Sequence, residues 1–179
     1  MPAELSGRSI ERKAEALLTR FKEPPIPVNA IAQSLGLDVE PADLSDNISG
    51  VLVVSGDGGV IGFNRTHALV RQRFTVAHEC AHFVLHRSEG SLFIDKRYRA
   101  FFRDARSGRG TDSRERDANT FAAALLMPEA MVRRAAKAYE FELGDEGGPI
   151  ADLADAFQVS TQAMTYRLSN LGILGPAKI

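Results

Sequence analysis

The sequence predicts an α+β fold in which a small twisted sheet packs on a helical core, with a pair of helices resembling a helix-turn-helix near the C-terminus. Three observations indicate this fold. Apolar residues recur at helical spacing in segments 10–21 and 112–127. Segments 48–54 and 60–63 are rich in β-branched residues and flank a glycine-rich turn, as in a hairpin. The apolar segment 74–85 is typical of a buried helix.

Length and composition are those of a globular protein. The chain has 179 residues, 44% hydrophobic and 25% charged, and a net charge of -1, so no global basic field attracts nucleic acid or acidic membranes. One cysteine excludes an intramolecular disulfide and suits a reducing compartment. The charged, amphipathic segment 1–23 lacks the apolar core of a signal peptide, and no apolar run has the length of a membrane span. We therefore expect a soluble, cytoplasmic protein.

In the first half of the chain, two helices are predicted before the hairpin and one long helix after it. The first helix covers 10–21 and is stopped by a pair of prolines, and the second covers 28–35 and is closed by Gly36. After the hairpin, a long helix is predicted over 67–86.

The second half begins with a segment, 87–110, that shows no clear period. A strong helix follows over 112–127, with a capping box at its start and Pro128 at its end. Pro128 can also open the next helix, over 129–139.

The helix over 67–86 contains an H-E-x-x-H motif, His78-Glu79-Cys80-Ala81-His82. Two histidines four residues apart project from one helical face, so both imidazoles can bind a single metal ion. Glu79 is placed to take a proton from a water at that metal. Cys80 points away from this face, which favours an apolar packing role. The motif predicts a zinc-dependent hydrolase, with a peptidase as the leading hypothesis.

Catalytic zinc normally needs a third protein ligand. The metzincin pattern fails, because Leu85 and Ser88 stand where a glycine and a third histidine belong. His86 lies on the same face, but eight residues from His78 and about 12 Å along the axis, so it is predicted to be a neighbour and not a ligand.

A carboxylate from a separate helix is the remaining source, and Glu115 is the best candidate. The small residues Ala118 and Ala122 share its face and would let the two helices pack closely. Asn119 could hydrogen-bond the outer nitrogen of a ligand histidine and so orient its ring. Asp117 points elsewhere and is the weaker alternative.

These residues resemble the ImmA/IrrE family of metallo-endopeptidases. The similarity covers 74–82, 115–119 and 121–128, and extends to 48–50, 62–64 and the C-terminal tail. Members commonly carry Leu-Gly or Phe-Gly where this chain has Cys-Ala inside the motif, a departure that leaves the ligands intact.

The resemblance implies zinc held by His78, His82 and Glu115, with Glu79 as general base. It also implies a cytoplasmic bacterial or phage protein that cleaves a helix-turn-helix repressor, often encoded next to it. Two alternatives stay open: a non-catalytic zinc protein that binds and regulates such a repressor within a prophage or toxin–antitoxin module, and a DNA-binding regulator.

The tetrahedral oxyanion of peptide hydrolysis needs a second donor, and His86, Tyr98 and the arginines within 97–109 are candidates. The basic stretch 96–116 is either a solvated loop or a recognition surface beside the cleft. The strand at 48–54 is a candidate edge strand that would pair with an extended substrate.

The chain divides into a predicted zinc metallopeptidase domain, 1–143, and a helix-turn-helix-like segment, 149–174, expected to pack on the same domain. The second tail helix is predicted to turn Thr161, Gln162 and Arg167 outward, together with Thr165. With only one basic residue the tail can neutralise few phosphates, so direct nucleic-acid binding is not expected and a structural or docking role is favoured.

Overall fold

The structure, a computed structural model, describes residues 6–95, 111–139 and 148–174. Tyr98 and most of the basic stretch predicted to flank the cleft lie outside these residues. No helix in the described part is both long and apolar enough to cross a membrane.

The predicted α+β class is confirmed: helices form the core and the sheet is small. The helices of the described residues are α1 Gly7–Glu15, α2 Val28–Ser34, α3 Leu69–His86, α4 Thr111–Leu126, α5 Glu129–Ala136, α6 Pro149–Phe157 and α7 Thr161–Asn170. The strands are β1 Leu37–Ala42, β2 Gly50–Ser55, β3 Gly58–Asn64 and β4 Leu92–Asp95.

The sheet has the strand order β1-β3-β2-β4. β2 and β3 form the predicted antiparallel hairpin, β1 lies parallel to β3, and β4 lies antiparallel to β2. The expectation that β2 is an edge strand is wrong, because β2 lies between β3 and β4. β1 and β4, which periodicity did not predict, are the strands at the two ends of the sheet.

The first helix is shorter than predicted. α1 is capped by Ser6, whose hydroxyl accepts from Ser9 N at 3.3 Å, and it ends at Glu15, where a 3-10 turn continues over Ala16–Leu18. Leu18 in that turn is buried, so the apolar spacing continues beyond the end of the α-helix. Periodicity alone does not distinguish the two helix types.

The core lies between the inner face of the sheet and the helices. α4 packs against α3, and Ala118 and Ala122 at their contact are both fully buried. Small side chains allow two helix axes to approach closely, so residues on facing turns of α3 and α4 can meet. This packing positions the candidate site.

The C-terminal helices α6 and α7 are joined by a tight turn at Gln158, which has a left-handed backbone (φ 52). The prediction that Arg167 points outward is wrong. Its side chain is 4% exposed, donates to Met127 O at 2.9 Å, and pairs with Glu11 Oε1 of α1 at 2.6 Å. Arg167 shares the buried face of α7 with Met164, so the one basic residue of this helix joins it to the rest of the protein.

Candidate metal centre

Two histidines of α3 and one carboxylate of α4 meet at a single point. His78 Nε2 lies 3.0 Å from His82 Nε2. Glu115 reaches across from α4, with Oε2 3.1 Å from His78 Nε2 and Oε1 3.4 Å from His82 Nε2. The structure thus brings together the three residues that the sequence analysis proposed as ligands.

The donor set and its spacing fit a metal ion. The ligand atoms of the three residues lie within 4.8 Å of one another. Tetrahedral coordination at about 2.0–2.2 Å places neighbouring ligand atoms about 3.3–3.6 Å apart, close to the distances seen here. The cluster of His78, His82 and Glu115 could therefore hold a metal ion with little movement.

Asn119 contacts the first candidate ligand, His78. Its Oδ1 lies 2.8 Å from His78 Nδ1. An amide oxygen only accepts, so the Nδ1–H donates, and Nε2 is the ring nitrogen that faces Glu115 and His82. This is the contact expected of Asn119, one helical turn after Glu115.

The charges in the site alter the pKa of each group. Burial by itself lowers the pKa of His78, but the hydrogen bond to Glu115 and the nearby carboxylates raise it to about 9. Burial lowers the pKa of His82. Although burial acts to raise the pKa of Glu115, hydrogen bonds to the two histidines hold it well below its ordinary range. Without a metal, His78 and Glu115 form a charged pair.

Glu79 is fully buried beside the cluster, and neither of its carboxylate oxygens has a hydrogen-bond partner within the described structure. Burial raises its pKa to about 8, with the charges of Asp95 and Glu115 acting in the same direction and that of His78 opposing them. A buried carboxyl without partners is unfavourable for folding, so a site that retains one is a candidate for chemistry.

Gly50 of β2 makes room for this carboxylate. A Cβ at position 50 would lie 2.9 Å from Glu79 Oε1 and 2.4 Å from Thr75 Cγ2. Residues 48–50 were predicted only to belong to the family resemblance, and the structure shows that a glycine is needed for the sheet to approach α3 at Glu79.

β4 supplies two residues that the sequence analysis missed. The Phe93 ring stacks on His82, with centroids 5.0 Å apart and 18° between the planes. Asp95 is 9% exposed and pairs in register with Gly50. A four-residue strand gives almost no periodic signal, and only the alternation of polar and apolar residues at 92–95 could have suggested it.

The remaining candidates take no part in the cluster. His86 is buried one turn beyond His82, with Nδ1 3.3 Å from Glu89 Oε1 and no described partner for Nε2. Cys80 is fully buried and burial raises its thiol pKa, as expected of a packing residue. Asp117 is not among the grouped ligands.

The fold and the site together define an α+β protein with a candidate metal site built on an H-E-x-x-H motif. Residues 32–169 match the profile of a peptidase family described as the IrrE N-terminal-like domain. The chain belongs to this family, and the resemblance noted from its motifs is confirmed.

A solved structure described as a Mycobacterium tuberculosis transcriptional regulator has a similar fold, with a TM-score of 0.59 at 19% sequence identity. The match covers 90% of this chain but 46% of the regulator, so the chain spans about half the length of that protein. At this identity the likeness concerns the fold alone. No curated protein gives a significant match to the chain.

Proposed function

We propose that the protein is a zinc-dependent metallo-endopeptidase that cleaves a specific intracellular protein, a repressor or antitoxin-type regulator with a helix-turn-helix. The observation that carries this proposal is the meeting of His78, His82 and Glu115 beside the unpartnered carboxylate of Glu79. Family membership supports the peptidase class.

Two imidazoles and one carboxylate are the ligand set of many catalytic zinc sites, which keep a fourth position open. Bound here, zinc would lower the pKa of a water molecule and polarise a peptide carbonyl. Glu115 is the ligand nearest to solvent, since its side chain is 42% exposed while those of the histidines are 4% exposed. Access for a substrate is therefore expected on the α4 side of the site.

The roles of the surrounding residues follow from their contacts. Glu79 Oε1 or Oε2 would accept the proton of the attacking water and pass it to the leaving amine. Asn119 holds His78 in the tautomer that leaves Nε2 free to bind. His86 and Tyr98 stay the candidates for stabilising the oxyanion.

β4 replaces β2 as the proposed substrate strand. It is an end strand of the described sheet, and its Phe93 contacts the ring of His82. An extended peptide that paired with the outer edge of β4 would pass the metal site.

The proposal that the partner is a helix-turn-helix regulator rests on membership of the family. Because such a regulator acts inside the cell, we also propose a cytoplasmic location. A non-catalytic zinc protein that binds such a regulator is the second candidate, because the same site could serve as a sensor. DNA binding through α7 loses its support, because Arg167 is buried against Glu11.

Substitution of the general base tests the proposal. The protein is co-expressed with the helix-turn-helix regulator encoded beside it, and the regulator is followed by immunoblot. We expect cleavage by the wild type, none by Glu79→Gln with its metal retained, and neither cleavage nor metal in His82→Ala. Glu40→Gln, the same chemical change at an exposed position of β1, serves as the matched control. Cleavage that survives Glu79→Gln would refute the mechanism, and binding without cleavage by the wild type would favour the second candidate.

A further inference from the structure

The second candidate ligand, His82, has a ring nitrogen for which the described residues provide no partner. Its Nε2 faces the cluster, 3.0 Å from His78 Nε2 and 3.4 Å from Glu115 Oε1. A neutral imidazole that binds a metal through Nε2 carries its proton on Nδ1, and this N–H needs an acceptor when it is buried. His82 Nδ1 is buried without such an acceptor, whereas His78 Nδ1 has Asn119.

His86, one turn further along α3, has an unpartnered nitrogen of its own. The residue is 4% exposed, and its Nε2 is buried without a hydrogen-bond partner in the described part of the chain. Its Nδ1 lies 3.3 Å from Glu89 Oε1. A carboxylate only accepts, so the Nδ1–H donates to Glu89 and the neutral ring of His86 offers Nε2 as an acceptor. His82 thus lacks an acceptor where His86 lacks a donor.

The two rings are close enough to complement each other. The centroids of His82 and His86 lie 5.7 Å apart, with 49° between the ring planes. Two hydrogen bonds of about 2.9 Å that share one water molecule span about 4–5.5 Å between their end atoms, which is comparable to the distance between these rings. One water molecule, or a small rotation of the His86 ring, would therefore join the two nitrogens.

Two other groups near His82 are less suited to accept from it. Phe93 stacks on the His82 ring and has no acceptor atom. Glu79 has two unpartnered oxygens, but its Oε1 lies beside Gly50 of β2, and in the proposed function this carboxylate receives the proton of the attacking water. His86 is the buried acceptor next to His82 that has no other task.

The contacts of His86 continue to the helix that carries the third candidate ligand. Glu89 Oε2 lies 3.6 Å from Arg114 Nη1, and Arg114 directly precedes Glu115 in α4. His86 therefore lies between the His82 ring and a contact that joins the end of α3 to the beginning of α4.

We propose that His86 is a positioning residue of the metal site, whose Nε2 accepts a hydrogen bond from His82 Nδ1–H and so fixes the tautomer and orientation of that ring. This is the role that Asn119 has in the proposed function toward His78. The inference rests on the proposed function, because it assumes that the cluster binds a metal. It also separates His86 from the candidate donors to the oxyanion, since a nitrogen that accepts from His82 has no proton to donate to a substrate.

The ring protons of the zinc-loaded protein test the proposal without any need for cleavage. In protein with isotope-labelled histidine, proton–nitrogen correlation spectra at about pH 8 assign the tautomer of each ring. We expect slowly exchanging Nδ1–H signals from His78 and His82, and no proton on His86 Nε2. In His86→Phe, which keeps a flat ring but has no acceptor, the His82 signal should be lost and the His78 signal should stay. In His86→Gln, whose amide oxygen can replace Nε2 as acceptor, the His82 signal should return.

Zinc affinity, measured by competition with a chromogenic chelator, is the second readout. We expect it to fall by about tenfold in His86→Phe and to return to within about threefold of the wild type in His86→Gln, in the range seen for contacts that orient a metal ligand. His67→Phe makes the same chemical change in the connection before α3, outside the cluster, and should leave the affinity unchanged.

Three results would overturn the role of His86 and leave the metal site standing. They are a proton on His86 Nε2 in the wild type, a His82 signal that persists in His86→Phe, and wild-type zinc affinity in His86→Phe. Loss of cleavage at unchanged zinc affinity would assign His86 to the oxyanion instead. If His86→Phe does not fold, the wild-type tautomer of His86 decides alone. Failure of the wild type to bind zinc would overturn the metal site and this inference together.

Discussion

The ring of Phe93 stacks on the ring of His82, at 5.0 Å between centroids and 18° between planes. This contact connects the last strand of the sheet to a candidate metal ligand, and it limits the rotation of the His82 imidazole. The sheet therefore takes part in the site, although all three candidate ligands belong to helices.

Replacement of Phe93 should weaken metal binding. Phe93→Leu removes the flat surface against His82, and we expect metal affinity to fall by about tenfold, in line with the loss of other contacts that orient a ligand. Competition with a chromogenic chelator measures the change. Leu92→Ala removes an exposed side chain from the opposite face of β4 and is the matched control. An unchanged affinity in Phe93→Leu would show that the stacking does not hold the ligand.

Metal affinity should depend on pH through His78. The pKa of His78 is raised to about 9 in the metal-free protein, and a metal ligand must be deprotonated. Below pH 9, the metal therefore displaces a proton from His78, and this group alone should lower the affinity by about tenfold for each pH unit of acidification. The lowered pKa of His82 adds no competition in this range.

Calorimetry in two buffers of different ionisation enthalpy counts the protons that metal binding releases. Glu79, with its pKa raised to about 8, is the other group expected to contribute near neutrality. Glu79→Gln removes that contribution and should leave a release of about one proton from His78 at pH 7. A release near zero in Glu79→Gln would contradict the charged His78–Glu115 pair.

Gly50→Ala should impair catalysis more than metal binding. The added methyl group would overlap Thr75 and displace the Glu79 carboxylate, and the three atoms nearest to it belong to these two residues and not to a candidate ligand. We expect cleavage to fall by at least about tenfold, because misplacement of a general base by a fraction of an ångström is sufficient for such a loss. Gly62→Ala, where the nearest atom to the new Cβ is 3.4 Å away, is the control within the same sheet. Equal activities of the two variants would argue against a role for Gly50 in placing Glu79.

Glu11→Gln should destabilise the protein by about 2 kcal/mol. The change would leave the guanidinium of Arg167 buried without its charged partner, and broken buried pairs commonly lose about 3–5 kcal/mol. Glu11 is 26% exposed, which reduces the effect. Urea unfolding measures it, with the exposed Glu15→Gln on the same helix as control. A double variant with Arg167→Met should recover much of the loss, and additive losses would rule out a coupled pair.

The sequence contained most of the information on the site, because the motif and the helices that carry it have strong local patterns. His78 and His82 are one turn apart, and the face that Glu115 shares with Ala118 and Ala122 indicated close packing. The helical spacing of α3 and α4 follows from the same patterns, apart from shifts at their ends.

What the sequence did not show depends on contacts between distant segments. β4 has four residues, and β1 contains Pro41 and exposed charged residues, so neither has a strong pattern of its own. Both form because the hairpin offers them a free edge on each side. The outward direction predicted for Arg167 rested on the polarity of its side chain. Met164, three residues earlier on the same face of α7, indicates that this face is buried.

The path of the chain between the candidate ligands has a consequence for the lifetime of the protein. His82 and Glu115 are about 33 positions apart, and the connection between them contains β4. An ion held by both would act as a cross-link, of the kind that a disulfide provides elsewhere and that a chain with one cysteine cannot form within itself. Because such an ion binds the folded chain alone, it would add about 2.7 kcal/mol of stability at a free concentration a hundred times its Kd. The protein would then unfold most easily, and be degraded fastest, when its metal is scarce.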